Sequence, residues 1–453
     1  MTSPDLRSHA QDIWRACLAA VDPYQAVRQA LSLEGSRLRV GGQEYDLGRF
    51  RRIIAVGAGK AGAPMAQALE DVLGPRLTAG RVVVKEGHAG PTRVIQLLEA
   101  SHPLPDQRGL AAGQALAQLL EEADQETLVF CLLSGGGSAL LVAPAPGLTL
   151  ADKQETTRLL LACGADIAEI NAVRKHLSQL KGGGLARLAA PATLISLIVS
   201  DVVGDPLDVI ASGPTVADAS TWADVRGVLR RYGLLHQVPP VVRQRLEMGV
   251  AGRLADTPKP GQDFFDRVRN LIVAGNRQAL LAGLARAGEL GYRGLLLSSS
   301  LTGEARVLGG VLAALAREVC ASGHPLAPPC CLISGGESTV TLGPAPGQGG
   351  RNQELALAAA LGLQGLEGVL LLSAGSDGSD GPTDAAGALA HGQSVPGGLA
   401  LGLRARRHLE RHDAYPFFEA LGDLFITGPT RTNVMDIQIL LVTSRDGVLY
   451  ECL

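Results

Sequence analysis

Residues 132–140 read LLSGGGSAL and follow the apolar run Leu128, Val129, Phe130. Such a run makes a strand buried on both faces, as in the middle of a parallel sheet. Gly135, Gly136 and Gly137 then remove every Cβ where that strand should end. Backbone N–H groups can turn toward an anion there without steric penalty, and Ser134 and Ser138 add hydroxyls on either side. Two further stretches repeat the theme. Residues 56–62 read VGAGKAG after another apolar run, and residues 332–340 read LISGGESTV, with Gly335, Gly336 and then Glu337 in place of a third glycine. A single glycine-rich strand exit is as easily a tight turn as a ligand loop. Three in one chain point to a site for a phosphorylated ligand.

Outward from these loops the chain alternates apolar strand and Ala/Leu-rich helix. Strands are expected at residues 53–56, 81–84, 128–133 and 194–199, and helices at 64–72, 107–122, 152–163 and 167–180. That rhythm predicts an α/β fold with a mainly parallel, doubly wound sheet, whose ligands bind at the carboxyl ends of the strands. Upstream, residues 5–33 carry a helical pattern broken near Asp22-Pro23, and residues 36–47 read as a hairpin around Gly41-Gly42. Proline-containing polar stretches at 236–240 and 256–262 interrupt the alternation, so the expected division is 1–240 and 241–453. The pattern resumes with strands at 271–274, 294–298, 330–334, 369–373 and 437–442 and helices at 277–290, 304–320 and 352–363.

With 453 residues, two domains are the prior. Hydrophobic residues make up 46%, charged residues 19% and aromatic residues only 3%, so the core must be aliphatic. Net charge is −3 with no basic run, which removes the electrostatic case for a nucleic-acid partner. No apolar run is long enough to span a bilayer, and the N-terminus lacks a signal core. Cys17, Cys131, Cys163, Cys320, Cys330, Cys331 and Cys452 show no CxxC spacing, and several sit in apolar runs. A cytoplasmic protein acting on small molecules is expected, with a homodimer left open.

Several loops could carry chemistry. Gly57, Gly59 and Gly62 spell GxGxxG, and Glu86 lies where a ribose-binding acid would sit, which makes an NAD(P)-dependent dehydrogenase a serious competitor. Lys60 inside that loop argues otherwise. A pyrophosphate held by helix amides has no need of it, whereas a transferring phosphoryl group or a carboxylate does. Arg174, Lys175 and Lys181 put positive charge beside the glycine run 182–184, although a solvated helix face is the commoner reason for such a pattern. Asp201, Asp205 and Asp208 in the loop 200–215 could hold Mg²⁺, as could Asp377, Asp380 and Asp384 in SAGSDGSDGPTDAAG. In GGRNQE, Arg351 stands at a helix start beside Asn352, where a guanidinium can clamp a carboxylate or a phosphoryl group. Residues 428–436, GPTRTNVMD, offer Arg431, Thr432 and Asn433 before the last strand with less specificity.

Taken in order, VGAGKAG, LLSGGGSALL, NAVRKHLSQLKGGGLA, VSDVVGDPLDVIASGPT, GEAR (Gly303–Arg306), ISGGEST, GGRNQELAL and SAGSDGSDGPTDAAGA resemble the type-2 glycerate kinase family, whose C-terminal part is called the MOFRL domain. The likeness runs from about Arg7 to Val442. It implies a Rossmann-like N-terminal domain, a second α/β domain and an active site in the cleft between them. It also implies ATP- and Mg²⁺-dependent phosphorylation of D-glycerate, typically giving 2-phosphoglycerate. The family's proposed catalytic lysine and arginine fall on Lys60 and Arg351. On this reading Ser134 to Ser138, with Gly335, Gly336 and Glu337, cradle nucleotide phosphates; Asp201, Asp205 and Asp377 hold Mg²⁺, with Asp201 also counted catalytic; and Asn352 joins Lys60 and Arg351 in binding substrate. Family members have also been labelled hydroxypyruvate reductases, which is the alternative activity here.

Overall fold

The computed structural model describes residues 5–443, so Cys452 lies outside the described residues. The chain forms two compact units: an N-terminal unit of residues 23–273, and a C-terminal unit in which residues up to 22 join those from 274 onward.

In the N-terminal unit, β1 (Leu31–Glu34), β2 (Arg37–Val40) and β3 (Gln43–Asp46) form an antiparallel meander. It contains the expected hairpin and takes its first strand from the end of the stretch read as helix. The main sheet comprises β4 (Arg52–Ala58), β5 (Ala79–Lys85), β6 (Ile95–Ala100), β7 (Thr127–Leu133), β8 (Thr193–Val199) and β9 (Val268–Ala274), in the order β6-β5-β4-β7-β8-β9. The pairings from β6 through β8 are parallel. Every residue of β7 is buried, which is why its sequence shows no alternation. The strand order departs from β4 in both directions, so β4 and β7 flank the topological switch point, where α/β sheets open a crevice for ligands. Both N-terminal glycine loops leave the sheet there. Gly57 permits the contact between these two strands, since a Cβ on it would lie 2.1 Å from the Leu132 carbonyl oxygen. Gly62 lets the helix Gly62–Leu73 settle onto β5, a Cβ there falling 2.8 Å from Val82 and 2.9 Å from Val84.

The C-terminal unit holds β10 (Arg293–Glu304), β11 (Cys330–Thr339), β12 (Val369–Gly375), β13 (Gly387–His391), β14 (Leu424–Phe425) and β15 (Asp436–Val442), in the order β10-β11-β15-β12-β13-β14. Only β10 and β11 run parallel; the other pairings are antiparallel. The last strand inserts between β11 and β12 and opposes both, a direction that strand–helix alternation cannot encode. Helices Ala305–Ser322 and Arg351–Leu363 cover the sheet through an aliphatic core that includes Leu332, Leu355, Leu371 and Leu440.

The division differs from the one expected at 240/241 for two physical reasons. Helix Pro240–Val250 packs with Trp222–Arg231 through Trp222, Val242 and Leu246, and β9 completes the parallel sheet, so the polar stretches near 236–262 are loops inside the N-terminal unit. At the other end, helix Leu6–Ala20 belongs with the C-terminal unit. It lies so close to helix Asn276–Glu289 that a Cβ on Gly283 would be 2.4 Å from the Cys17 sulfur, and Arg7 pairs with Asp423 at 2.7 Å. The thiols of helix Leu6–Ala20 and of β7 are buried, and burial pushes Cys17 and Cys131 up to about 12. Among the described residues, no helix is long and apolar enough to cross a membrane.

Candidate active site

The two glycine loops of the N-terminal unit are wired to each other. The Lys60 amide donates to the Gly135 carbonyl (2.8 Å), the Ala61 amide to Ser134 Oγ (3.0 Å) and the Gly59 amide to the Val83 carbonyl (3.0 Å). A Cβ on Gly59 would sit 2.0 Å from Ser134 Oγ, so the Ser134 side chain can pack on the first loop only because Gly59 has none. Residues 59–61 therefore spend their amides inside the protein, and Glu86 is paired with Arg108 at 2.9 Å. Lys60 is only partly buried, and its stem passes over Gly136, whose φ of +81° and narrow clearance from Lys60 and the His102 ring both call for glycine. Burial, with help from Lys60, brings His102 down to about 4, so this imidazole is neutral at physiological pH.

Beneath Ser138 lies a group of cations that sequence reasoning assigned to a solvated face. The Lys181 amine donates to the Ser138 carbonyl at 2.6 Å, and Arg174 reaches the same oxygen at 3.3 Å. Ser138 Oγ contacts Ser212 Oγ at 2.7 Å, and Ser212 donates to Asn171 at 3.1 Å, which ties the loop 200–215 to the glycine loop. Lys153, singled out by no motif, brings a third cation whose buried Nζ has no hydrogen-bond partner. Lys175 differs from its neighbours: it pairs with buried Asp218 at 3.2 Å and is part of the framework. No periodicity could have separated these roles, because long aliphatic stems let a lysine lie along either face.

In the C-terminal unit, Arg351 begins the helix Arg351–Leu363. Its Nε and Nη2 grip the two oxygens of fully buried Asp436 at 2.7 and 2.9 Å, and Nη1 reaches Glu337 at 2.8 Å. Burial opposes the charge on Arg351, but Asp436 and Glu337 outweigh it and keep the guanidinium charged. Asp436 itself is raised, burial prevailing over Arg351. Asn352 adds a bond to Asp436 at 2.9 Å. Asp380 accepts from the amides of Asn352 and Gln353 at 3.0 and 2.9 Å and so anchors the helix start, while burial pushes its carboxyl up to about 6. Three of the five N–H groups of Arg351 are committed, which leaves two for a ligand. Together Arg351, Asp377, Asp380, Asn433 and Asp436 line part of a cavity of about 380 Å³, within the range of small-molecule sites.

Not every motif became a loop. Gly335 and Gly336 lie inside β11, paired with Ile437 and Asp436 of β15, so this stretch is sheet and not a phosphate cradle. Its glycines serve close approach: a Cβ on Gly335 would meet Asn276 at 2.2 Å and one on Gly336 the Leu301 carbonyl at 2.1 Å. The carboxylates expected to bind Mg²⁺ fare unequally. Asp201 packs against the glycine loop, a Cβ on Gly135 falling 2.3 Å from its Oδ2. One such carboxylate suits a metal that arrives on phosphate oxygens. Asp377 Oδ1 is taken by the amide and hydroxyl of Ser379, both at 3.0 Å, and Asp205 sits in a turn at φ +55°. Among the described residues, no group of three or more His, Cys, Asp or Glu side chains is disposed to hold a metal.

Comparison with known proteins fits this geometry. A family model described as a domain of unknown function (DUF4147) matches residues 9–247, and the MOFRL family model matches residues 330–436. The chain is 38% identical to the glycerate 2-kinase of Pyrococcus horikoshii, over 99% of this chain and all of that one. The chain belongs to the type-2 glycerate kinase family. A crystal structure of glycerate kinase from Thermotoga maritima shares the family's fold with it, at a TM-score of 0.87 and 38% identity, covering 97% of this chain and 99% of that one. A relative from Agrobacterium vitis, 44% identical over 86% of this chain and 87% of its own length, carries the name hydroxypyruvate reductase. Family members thus bear two activity names.

Proposed function

We propose that the protein transfers the γ-phosphoryl group of ATP to D-glycerate, at the 2-hydroxyl, in the cytoplasm. The observation that carries this reading over a reductase is the wiring of residues 59–61. A dinucleotide fold offers the loop amides to a pyrophosphate and an acid to the ribose. Here those amides are spent on Val83, Gly135 and Ser134, and Glu86 on Arg108. Lys60 instead lays the stem of its cationic side chain beside Gly136.

Phosphoryl transfer asks a protein mainly for positioning and charge. In the loop 134–138 the amides of Ser134 and Gly137 are spent on the Ala58 and Ser134 carbonyls and both hydroxyls on neighbours, so the amides of Gly135, Gly136 and Ser138 are those offered to the nucleotide phosphates. Asp201 is the carboxylate beside the loop that would hold a Mg²⁺ ion bound to ATP, and that ion would neutralise phosphate charge. Lys60 and Arg351 bind the glycerate carboxylate or the group in flight. Arg351 is held in orientation by Asp436 and Asn352, and half-exposed Glu337 is the partner that an incoming anion displaces.

Two parallel assays test the reading. With D-glycerate, ATP and Mg²⁺, ADP should form in proportion to glycerate consumed. With hydroxypyruvate and NADH or NADPH, absorbance at the nicotinamide wavelength should not change. Nicotinamide oxidation without ADP release would reverse the assignment.

A further inference from the structure

Arg174 and Lys181 share the Ser138 carbonyl, Lys153 lies close enough to repel both, and among the described residues none of the three forms an ion pair. Lys181 is 2% exposed, and its ammonium donates to the Ser138 carbonyl at 2.6 Å and to Ser138 Oγ at 3.3 Å. Arg174 donates to the same carbonyl at 3.3 Å. Lys153 Nζ is buried and has no hydrogen-bond partner. The acids nearest in sequence are engaged elsewhere: Asp152 closes a capping box with Thr149, Glu155 pairs with Arg158, Asp166 caps its own helix and Glu169 holds Arg231. The cations come from three segments, the helix Leu150–Ala162, the helix Ile167–His176 and the turn that follows it, so no single helix face explains them.

Burying like charges together is costly, and each one left without a counter-charge is a standing penalty. The strain shows in the amines. Burial, reinforced by Arg174, brings Lys153 down to about 7, and Lys181 is lowered by burial and then by Arg174 and Lys153. A structural role would have supplied carboxylates, as it did for Lys175. We propose that Lys153, Arg174 and Lys181 form an anion subsite beneath Ser138 that takes the phosphoryl group of a phosphorylated ligand. A glycerate carboxylate brings one negative charge, whereas a phosphoryl group brings close to two and so favours the charged form of the two lowered amines more strongly. The inference rests on the reading of residues 134–138 as the phosphate loop, and it adds the charges that loop lacks.

The test uses the full-length protein, its Lys153→Met and Lys181→Met variants, and inorganic phosphate as the probe, with ADP and D-glycerate as separate arms. Phosphate should raise the unfolding temperature of the wild type and should bind each variant at least about tenfold more weakly, as expected when one charge of a buried set is removed. Without phosphate, Lys153→Met should unfold no lower than the wild type, because its ammonium has no bond to lose. Unchanged phosphate affinity in both variants overturns the subsite, as does a wild type insensitive to phosphate. A marked loss of stability in Lys153→Met overturns it too, and so does a defect confined to D-glycerate. ADP release is followed in parallel. Turnover by the wild type with unaltered phosphate binding in the variants removes only the subsite, whereas absence of turnover by the wild type removes the kinase reading itself.

Discussion

Arg351→Lys is expected to lower kcat by about a thousandfold, within the range found when a guanidinium that stabilises a phosphoryl transition state is lost. The substitution keeps the charge and discards the fork. Arg351 uses Nε and Nη2 on Asp436 and Nη1 on Glu337, and the two N–H groups left over point where that fork sends them. An ammonium on a flexible stem can satisfy Asp436 or a ligand but cannot do both in a fixed geometry. Arg351→Ala should cost as much activity and more stability, because it leaves fully buried Asp436 without its cation. Steady-state kinetics with D-glycerate and ATP, beside thermal unfolding, separate the two. Lysine retaining wild-type kcat would mean that Arg351 serves only to neutralise Asp436.

Lys60→Ala should reduce kcat by about a hundredfold to a thousandfold, the cost of removing one preorganised charge from a developing anion. Stability should scarcely change. The Lys60 backbone, not its side chain, makes the bond to Gly135 that joins the two loops, and the side chain is only partly buried. Unfolding temperature and kcat are the paired readouts. A fall in stability with full activity would make Lys60 a packing residue. A rise in KM alone would make it a handle for ground-state binding.

Much of this site is legible in the sequence because backbone geometry is what glycine reports. The loops after β4 and β7 are marked by apolar runs ending in glycine, and both fall at the switch point of the parallel sheet. Lys60 stands out as a charge among Gly and Ala. The same signal misleads at Gly335 and Gly336, where the absent Cβ makes room for Asn276 and Leu301 inside a sheet. Other features depend on contacts that sequence does not order. Asp436 follows an unremarkable NVM and gains its role from β15 lying between β11 and β12. The first helix joins residues beyond 274 through Cys17 and Arg7, contacts too distant in the chain for a composition shift to reveal. Lys181 reads as part of a solvated cationic pattern and Lys153 draws no notice, because periodicity shows where apolar residues face and says little about a long cationic stem.

If a phosphoryl group leaves ATP for the 2-hydroxyl of glycerate, phosphorus NMR of the reaction mixture records the transfer. The γ-phosphate signal should disappear, matched by a new phosphomonoester resonance split into a doublet by the single proton on C2. A γ-phosphate signal that persists while glycerate or hydroxypyruvate disappears would contradict it.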